Sequence, residues 1–224
     1  MVFWSRPADA RRARALRSCP AGVVRDYLSA PFPALSSPLS EVELLAIDLE
    51  TTGLDPAKDR ILSIGFVPVT GLSIELAGAR SIVVASDAEV GQSATIHRLT
   101  DDDIARSVPL PQALAETLGQ LSGRVLLAHH DAVETEFLAA ACVAQFGAAP
   151  VFCSVDTLRL GMEYLERISD EGAGKLRLAA LRSRFGLPRY RAHDALTDAL
   201  AAAELYLALS AELGLTRLRQ ACSR

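Results

Sequence analysis

The ten residues Leu44-Leu45-Ala46-Ile47-Asp48-Leu49-Glu50-Thr51-Thr52-Gly53 join an apolar run, two carboxylates and a turn glycine. The apolar run reads as a buried β-strand. Strand side chains alternate faces, so Asp48 and Glu50 share one face while Ile47 and Leu49 share the other. Two carboxylates about 7 Å apart on one strand face repel each other strongly in a low dielectric. A fold tolerates them where a cation lies between, and ligation by oxygen alone suits Mg2+ or Mn2+. The plainer alternative is a strand end whose acids face water.

The chain of 224 residues can form one domain with a sizeable core and a small appendage. Its formal net charge of -4 excludes a generally basic nucleic-acid binder. Any contact with nucleic acid would rest on local patches and on metal. Cys19, Cys142, Cys153 and Cys222 are scattered without a C-x-x-C pair, which fits reduced thiols in a cytoplasmic protein and neither a disulfide frame nor a zinc site. No uncharged apolar run is long enough to span a membrane. Residues 1–18 hold Arg6, Arg11, Arg12, Arg14 and Arg17 but no apolar stretch of the secretory kind.

Residues 8–18 read as a helix, and 21–29 as a second short one. Pro31, Pro33 and Pro38 with Ser36, Ser37 and Ser40 form a linker. The expected organisation is an N-terminal extension over 1–40, a core domain over 41–215 and a tail over 216–224. The core opens with strands near 43–50 and 61–69, and a third across 72–76 and 80–85. Apolar, β-branched runs between short turns read as an antiparallel meander. A helical pattern begins at Ser93. Pro109 and Pro111 open a helix that Gly123 ends. A strand over 124–128 precedes a helix over 132–146, with Val133, Phe137, Leu138 and Val143 as its core stripe. A short strand over 152–155 leads to helices that end near Ile168, near Phe185 and near Leu213. The whole is a mixed α/β sheet with helices on its faces.

Two further clusters carry chemistry. In Leu126-Leu127-Ala128-His129-His130-Asp131-Ala132-Val133-Glu134-Thr135-Glu136, a buried strand ends at two histidines and a helix begins with acids. Acids at a helix N-terminus are ordinary for dipole reasons. In His193-Asp194-Ala195-Leu196-Thr197-Asp198-Ala199, Asp198 sits among apolar neighbours and needs a partner or a metal. Asp194 fits an N-terminal cap.

Asp48-x-Glu50-Thr51-Thr52-Gly53, the strand ending in histidine before an acidic helix, and His193-x-Ala195-x-x-Asp198-Ala199 together resemble the three motifs of the DEDD exonuclease superfamily. The resemblance is to the histidine branch, closest to the proofreading epsilon subunits of bacterial replicative polymerases, and covers roughly 43–210. Val155-Asp156-Thr157-Leu158 and Phe185-Gly186-Leu187-Pro188 also resemble the family. There is one departure. The family's second motif has His-Asn and then an aspartate four residues after the Asn; here those positions hold His130 and Glu134.

The resemblance implies a ribonuclease H-like mixed five-stranded sheet, an antiparallel meander followed by parallel strands. It implies a 3′–5′ exonuclease that releases nucleoside monophosphates with two Mg2+ or Mn2+ ions per site. Asp48 would touch both ions, with Glu50 and Asp198 on one, Glu134 on the other and His193 as general base. Thr51, Thr52 and Gly53 would seat the terminal nucleotide, unless they form only a tight turn, and His97 would line the cleft or pack structurally. Between Lys175 and Arg191 every charge is positive, and Arg189 and Arg191 end that run just before His193, where they could guide a strand. Single-stranded DNA is favoured over RNA as substrate, with RNA ends or short oligoribonucleotides as the alternative. An accessory binding protein with a degenerate site is the second alternative. The Arg-rich extension 1–40 could dock a DNA polymerase.

Overall fold

The computed structural model describes residues 7–85, 106–169, 173–191 and 193–222. The expected helix from Ser93 and His97 lie outside these residues. The elements in chain order begin with helices α1 (Ala8–Ser18) and α2 (Val23–Ser29) and strands β1 (Glu43–Thr51), β2 (Ile61–Thr70), β3 (Ser73–Ile74) and β4 (Arg80–Val83). There follow α3 (Leu110–Leu121), β5 (Val125–Ala128), α4 (Ala132–Phe146), β6 (Ser154–Asp156) and α5 (Thr157–Arg167). The chain closes with α6 (Leu178–Arg184), α7 (Ala195–Glu212) and α8 (Leu218–Ala221).

The strands form one sheet in the order β3-β2-β1-β5-β6, with β4 also on β2. β1 and β2 pair antiparallel, while β1–β5 and β5–β6 pair parallel. The two central strands are buried on both faces, as their near-continuous apolar runs require. The sheet has six strands where five were expected, because the third expected strand is broken in two. Pro68 on β2 supplies the break. Its carbonyl accepts the Glu75 amide at 2.9 Å, but it has no N–H to return on that side. The chain leaves the ladder for one 3-10 turn over Leu76–Gly78 and rejoins β2 as β4, with Arg80 opposite Phe66.

Residues 7–40 pack on the same core as the strands. Val24, Tyr27, Leu28 and Leu39 are buried in it. The Tyr27 hydroxyl donates to the Val151 carbonyl at 2.9 Å, and its ring lies 6.0 Å from that of Phe152. The segment beyond residue 215 is likewise held down. Leu218 and Ala221 are fully buried, and Cys222 bridges to Val155 on the free edge of β6. The core stripe of α4 differs from the sequence reading. Val143 is 51% exposed, and the buried face is Glu134, Phe137, Leu138 and Cys142. That face keeps helical spacing, but its first member is a carboxylate.

Candidate active site

β1 presents Asp48 and Glu50 on one face, as alternation dictates. A ligand oxygen from each, and one from Asp198 on the first turn of α7, all lie within 4.8 Å of one another. Asp198 is steered there by its helix start. The Asp194 carboxylate accepts the Thr197 amide at 2.8 Å and caps α7, as its position in the sequence suggested. The Asp198 carboxylate accepts the amide of His193 at 2.8 Å. His193 is exposed, with φ at +68°, so it stands at a sharp backbone turn beside the acids.

Glu134 approaches from α4. It does not join the group of three, yet its charge is the largest acidic influence on Asp48. Burial foremost, then the charges of Glu134, Asp198, Glu50 and Asp194, push the Asp48 carboxyl well above the usual range. Burial pushes Glu134 up to about 8. Asp198 is raised by burial, partly offset by the amide and charge of His193. Glu134 is only 3% exposed, and its Oε2 has no hydrogen-bond partner among the described residues. A buried carboxylate oxygen with no donor beside a cluster of acids is costly unless a cation serves it. Oxygen-only donors of this kind fit Mg2+ or Mn2+ and do not suit softer metals.

The remaining expected site residues divide. Thr51 and Thr52 lead out of β1, but their hydroxyls are engaged within the loop: Thr51 donates to the Gly53 carbonyl at 2.6 Å and Thr52 to the Asp59 carboxylate at 3.0 Å. Arg189 and Arg191 are exposed. Arg182, part of the same positive run, is not available to a strand. It is 4% exposed and donates to the Ala201 carbonyl at 2.6 Å, the Pro188 carbonyl at 2.9 Å and the Glu204 carboxylate at 2.6 Å. His129 is also structural, with its ring nitrogens bonded to Thr157 Oγ1 at 2.9 Å and the Leu176 carbonyl at 3.0 Å. Burial holds its pKa below the usual histidine value. Sequence reasoning missed Gly65, and it marked Asp156 only as part of a segment resembling the family, with no role of its own. A glycine inside an apolar strand was the available signal for Gly65.

Residues 45–206 match the family model described as Exonuclease, RNase T type. The epsilon subunit of DNA polymerase III from Treponema pallidum is 30% identical over 173 residues, 76% of this chain and 77% of that protein. The chain belongs to the exonuclease family. The PolC-type DNA polymerase III of Thermotoga maritima is 28% identical over 190 residues, 82% of this chain, but the chain spans only 13% of that polymerase's length. The nuclease domain of 3′hExo, a DEDDh family member bound to rAMP, superposes with a TM-score of 0.63 at 15% identity, covering 82% of this chain and 97% of that one. This likeness fixes the ribonuclease H-like fold. Position 130, where the family pattern carries asparagine, has φ at +79° in this exonuclease. Asparagine tolerates that left-handed region well, and His130 occupies it here.

Proposed function

We propose that the chain hydrolyses single-stranded DNA from its 3′ end, one nucleoside monophosphate at a time, at the carboxylate cluster. The observation that carries this reading is the approach of Asp48, Glu50 and Asp198 within 4.8 Å beside the unpartnered Glu134 oxygen. Asp48, Glu50 and Asp198 would hold one divalent ion, and Asp48 with Glu134 a second. Such a pair supplies charge to stabilise the attacking and leaving oxygens of an in-line displacement.

The protein's own groups do the rest. Asp48, in the central strand, would be the shared ligand, since the charges of Glu134, Asp198 and Glu50 all act on it. An imidazole nitrogen of His193 takes a proton from the attacking water as general base. The turn at His193 leaves its side chain exposed at the mouth of the site, able to move while its amide stays bonded to Asp198. The exposed guanidinium groups of Arg189 and Arg191 attract the phosphates upstream of the terminal nucleotide. Gly53 and the loop it closes seat that nucleotide.

DNA is favoured because the relatives that share sequence with this chain are DNA polymerase III proteins. An RNA-directed reading is kept by the rAMP bound in the nuclease domain of 3′hExo. A polymerase is the partner class these relatives suggest, and the outer face of α1, with Arg14 and Arg17 exposed, is the surface we assign to it. Among the described residues no helix is long and apolar enough to cross a membrane, and we place the protein in the cytoplasm with its substrate. The experiment is a time course on 5′-labelled DNA and RNA of one sequence with Mg2+ or Mn2+. A ladder that shortens DNA faster is expected; faster shortening of RNA would reassign the substrate, and no ladder on either would refute the activity.

A further inference from the structure

Asp156 is a buried acid outside the carboxylate cluster, 7% exposed, on the edge strand β6. One of its oxygens, Oδ1, accepts two main-chain N–H groups, those of His130 and Leu158, each at 2.8 Å. The second bond caps α5, an ordinary structural duty. The first has another consequence. His130 is the hinge between β5 and α4, and its φ of +79° is one that a residue with a Cβ avoids. Its carbonyl accepts the Val133 amide at 3.1 Å and so starts the first turn of α4. Glu134 stands one residue further along that turn. The direction of α4, and with it the placement of Glu134 beside Asp48, therefore depends on the backbone of His130.

β6 grips this corner twice. Ala128, the last residue of β5, pairs in parallel with Asp156. Ser154, two residues earlier on the same strand face, donates its hydroxyl to the Asp131 carboxylate at 2.5 Å. The Asp131 carbonyl in turn accepts the Thr135 amide at 3.0 Å and the Thr135 hydroxyl at 2.8 Å. We propose that Asp156 is a positioning residue for Glu134: its bond to the His130 amide locks the left-handed turn that aims α4 at the metal-binding acids. The inference rests on Glu134 being a metal ligand.

The test uses the full chain and measures Mn2+ affinity by calorimetry alongside melting in EDTA. Asp156→Asn keeps the oxygen acceptor and retains Mn2+ affinity within about threefold. Asp156→Ala loses affinity about tenfold or more, the scale seen when partners that orient metal ligands are removed. Adding His130→Gly to Asp156→Ala restores the affinity, because glycine adopts the turn without the bond, while melting stays low because α5 remains uncapped. His130→Val, with Asp156 and its cap intact, weakens Mn2+ binding, since a β-branched residue resists this φ; His130→Asn does not. The His130 series decides the question even where Asp156→Ala yields no folded protein. Wild-type Mn2+ affinity in Asp156→Ala or in His130→Val, with Glu134→Gln impaired, overturns the inference and leaves the site intact. Wild-type affinity and activity in Glu134→Gln would instead overturn the reading of Glu134 as a ligand, and the inference with it.

Discussion

Asp48 on β1 and Gly65 on β2 are cross-strand partners, and the backbone of α7 rests directly on the glycine. A Cβ at position 65 would lie 2.1 Å from Ala195 C and Leu196 N. Partners across an antiparallel pair project to one face, so the missing side chain of Gly65 is the space through which α7 reaches the Asp48 side of the sheet. Asp198 joins Asp48 and Glu50 because this helix can lie that close.

Gly65→Ala is therefore expected to lower stability by roughly 1–3 kcal/mol through overpacking. It also weakens Mn2+ binding by the folded protein, as α7 lifts and Asp198 withdraws. Urea unfolding in EDTA and calorimetry on the folded variant check the two effects separately. A variant with lowered stability and unaltered Mn2+ affinity would show that the glycine serves packing alone.

The raised acids make the metal-free protein sensitive to pH. Glu134 has a folded pKa of about 8 against a reference of 4.5, so between those values the folded state binds more protons than the unfolded one. Stability in EDTA is then greatest at low pH within this window and falls as pH rises through 8, by up to about 1.4 kcal/mol per pH unit for one group. Asp48 and Asp198, also raised, act in the same sense. His129, lowered by burial from 6.5, opposes them below pH 6.5, so pH 6.5 to 8 is the clean interval. Melting temperature in EDTA should fall across it, and saturating Mg2+ should flatten the slope. A flat curve in EDTA would argue against buried, uncompensated acids.

Arg182 ties the segment before His193 to α7. Its guanidinium bonds the Pro188 carbonyl and the Glu204 carboxylate, lies 4.6 Å from the Tyr190 ring centroid, and is nearly inaccessible. Arg182 is buried and Glu204 is 23% exposed, and leaving buried carbonyl and carboxylate acceptors without their donor costs roughly 1–3 kcal/mol. Arg182→Ala should lower stability by that order and speed trypsin cleavage after Arg189 and Arg191. Unchanged cleavage kinetics would mean that the segment is held by other contacts.

Arg189→Ala with Arg191→Ala should weaken binding of single-stranded DNA in EDTA. The slope of log affinity against log salt should drop by roughly 0.7 for each phosphate that is no longer neutralised. Fluorescence anisotropy over a salt series measures both. An unaltered slope would remove these arginines from the substrate path.

Much of this arrangement is legible in the sequence because it depends on local rules. Alternation along β1 places Asp48 and Glu50 together, and Asp194 at the start of α7 is recognisable as a cap. What is not legible depends on partners distant in the chain. Nothing in a run of positive residues marks Arg182 as the one that meets Glu204 in the interior. An acid in the first turn of a helix ordinarily points to water, yet Glu134 follows the spacing of Phe137, Leu138 and Cys142 into the core. Val143 looks like a core residue by type and is not one, because α4 turns that face outward. Pro68 splits its neighbour, not its own strand, and only the pairing shows which.

The measurement that bears most directly on the carboxylate site as the place of hydrolysis is release of mononucleotide from a 5′-labelled single strand. Wild type and Asp48→Asn are followed with Mg2+ and with EDTA, each protein shown to be folded. The expected result is stepwise shortening that EDTA abolishes and that Asp48→Asn reduces by about a hundred- to a thousandfold, the scale on which loss of a central electrostatic group acts. Shortening by Asp48→Asn at the wild-type rate, or shortening by wild type that persists in EDTA, would contradict it.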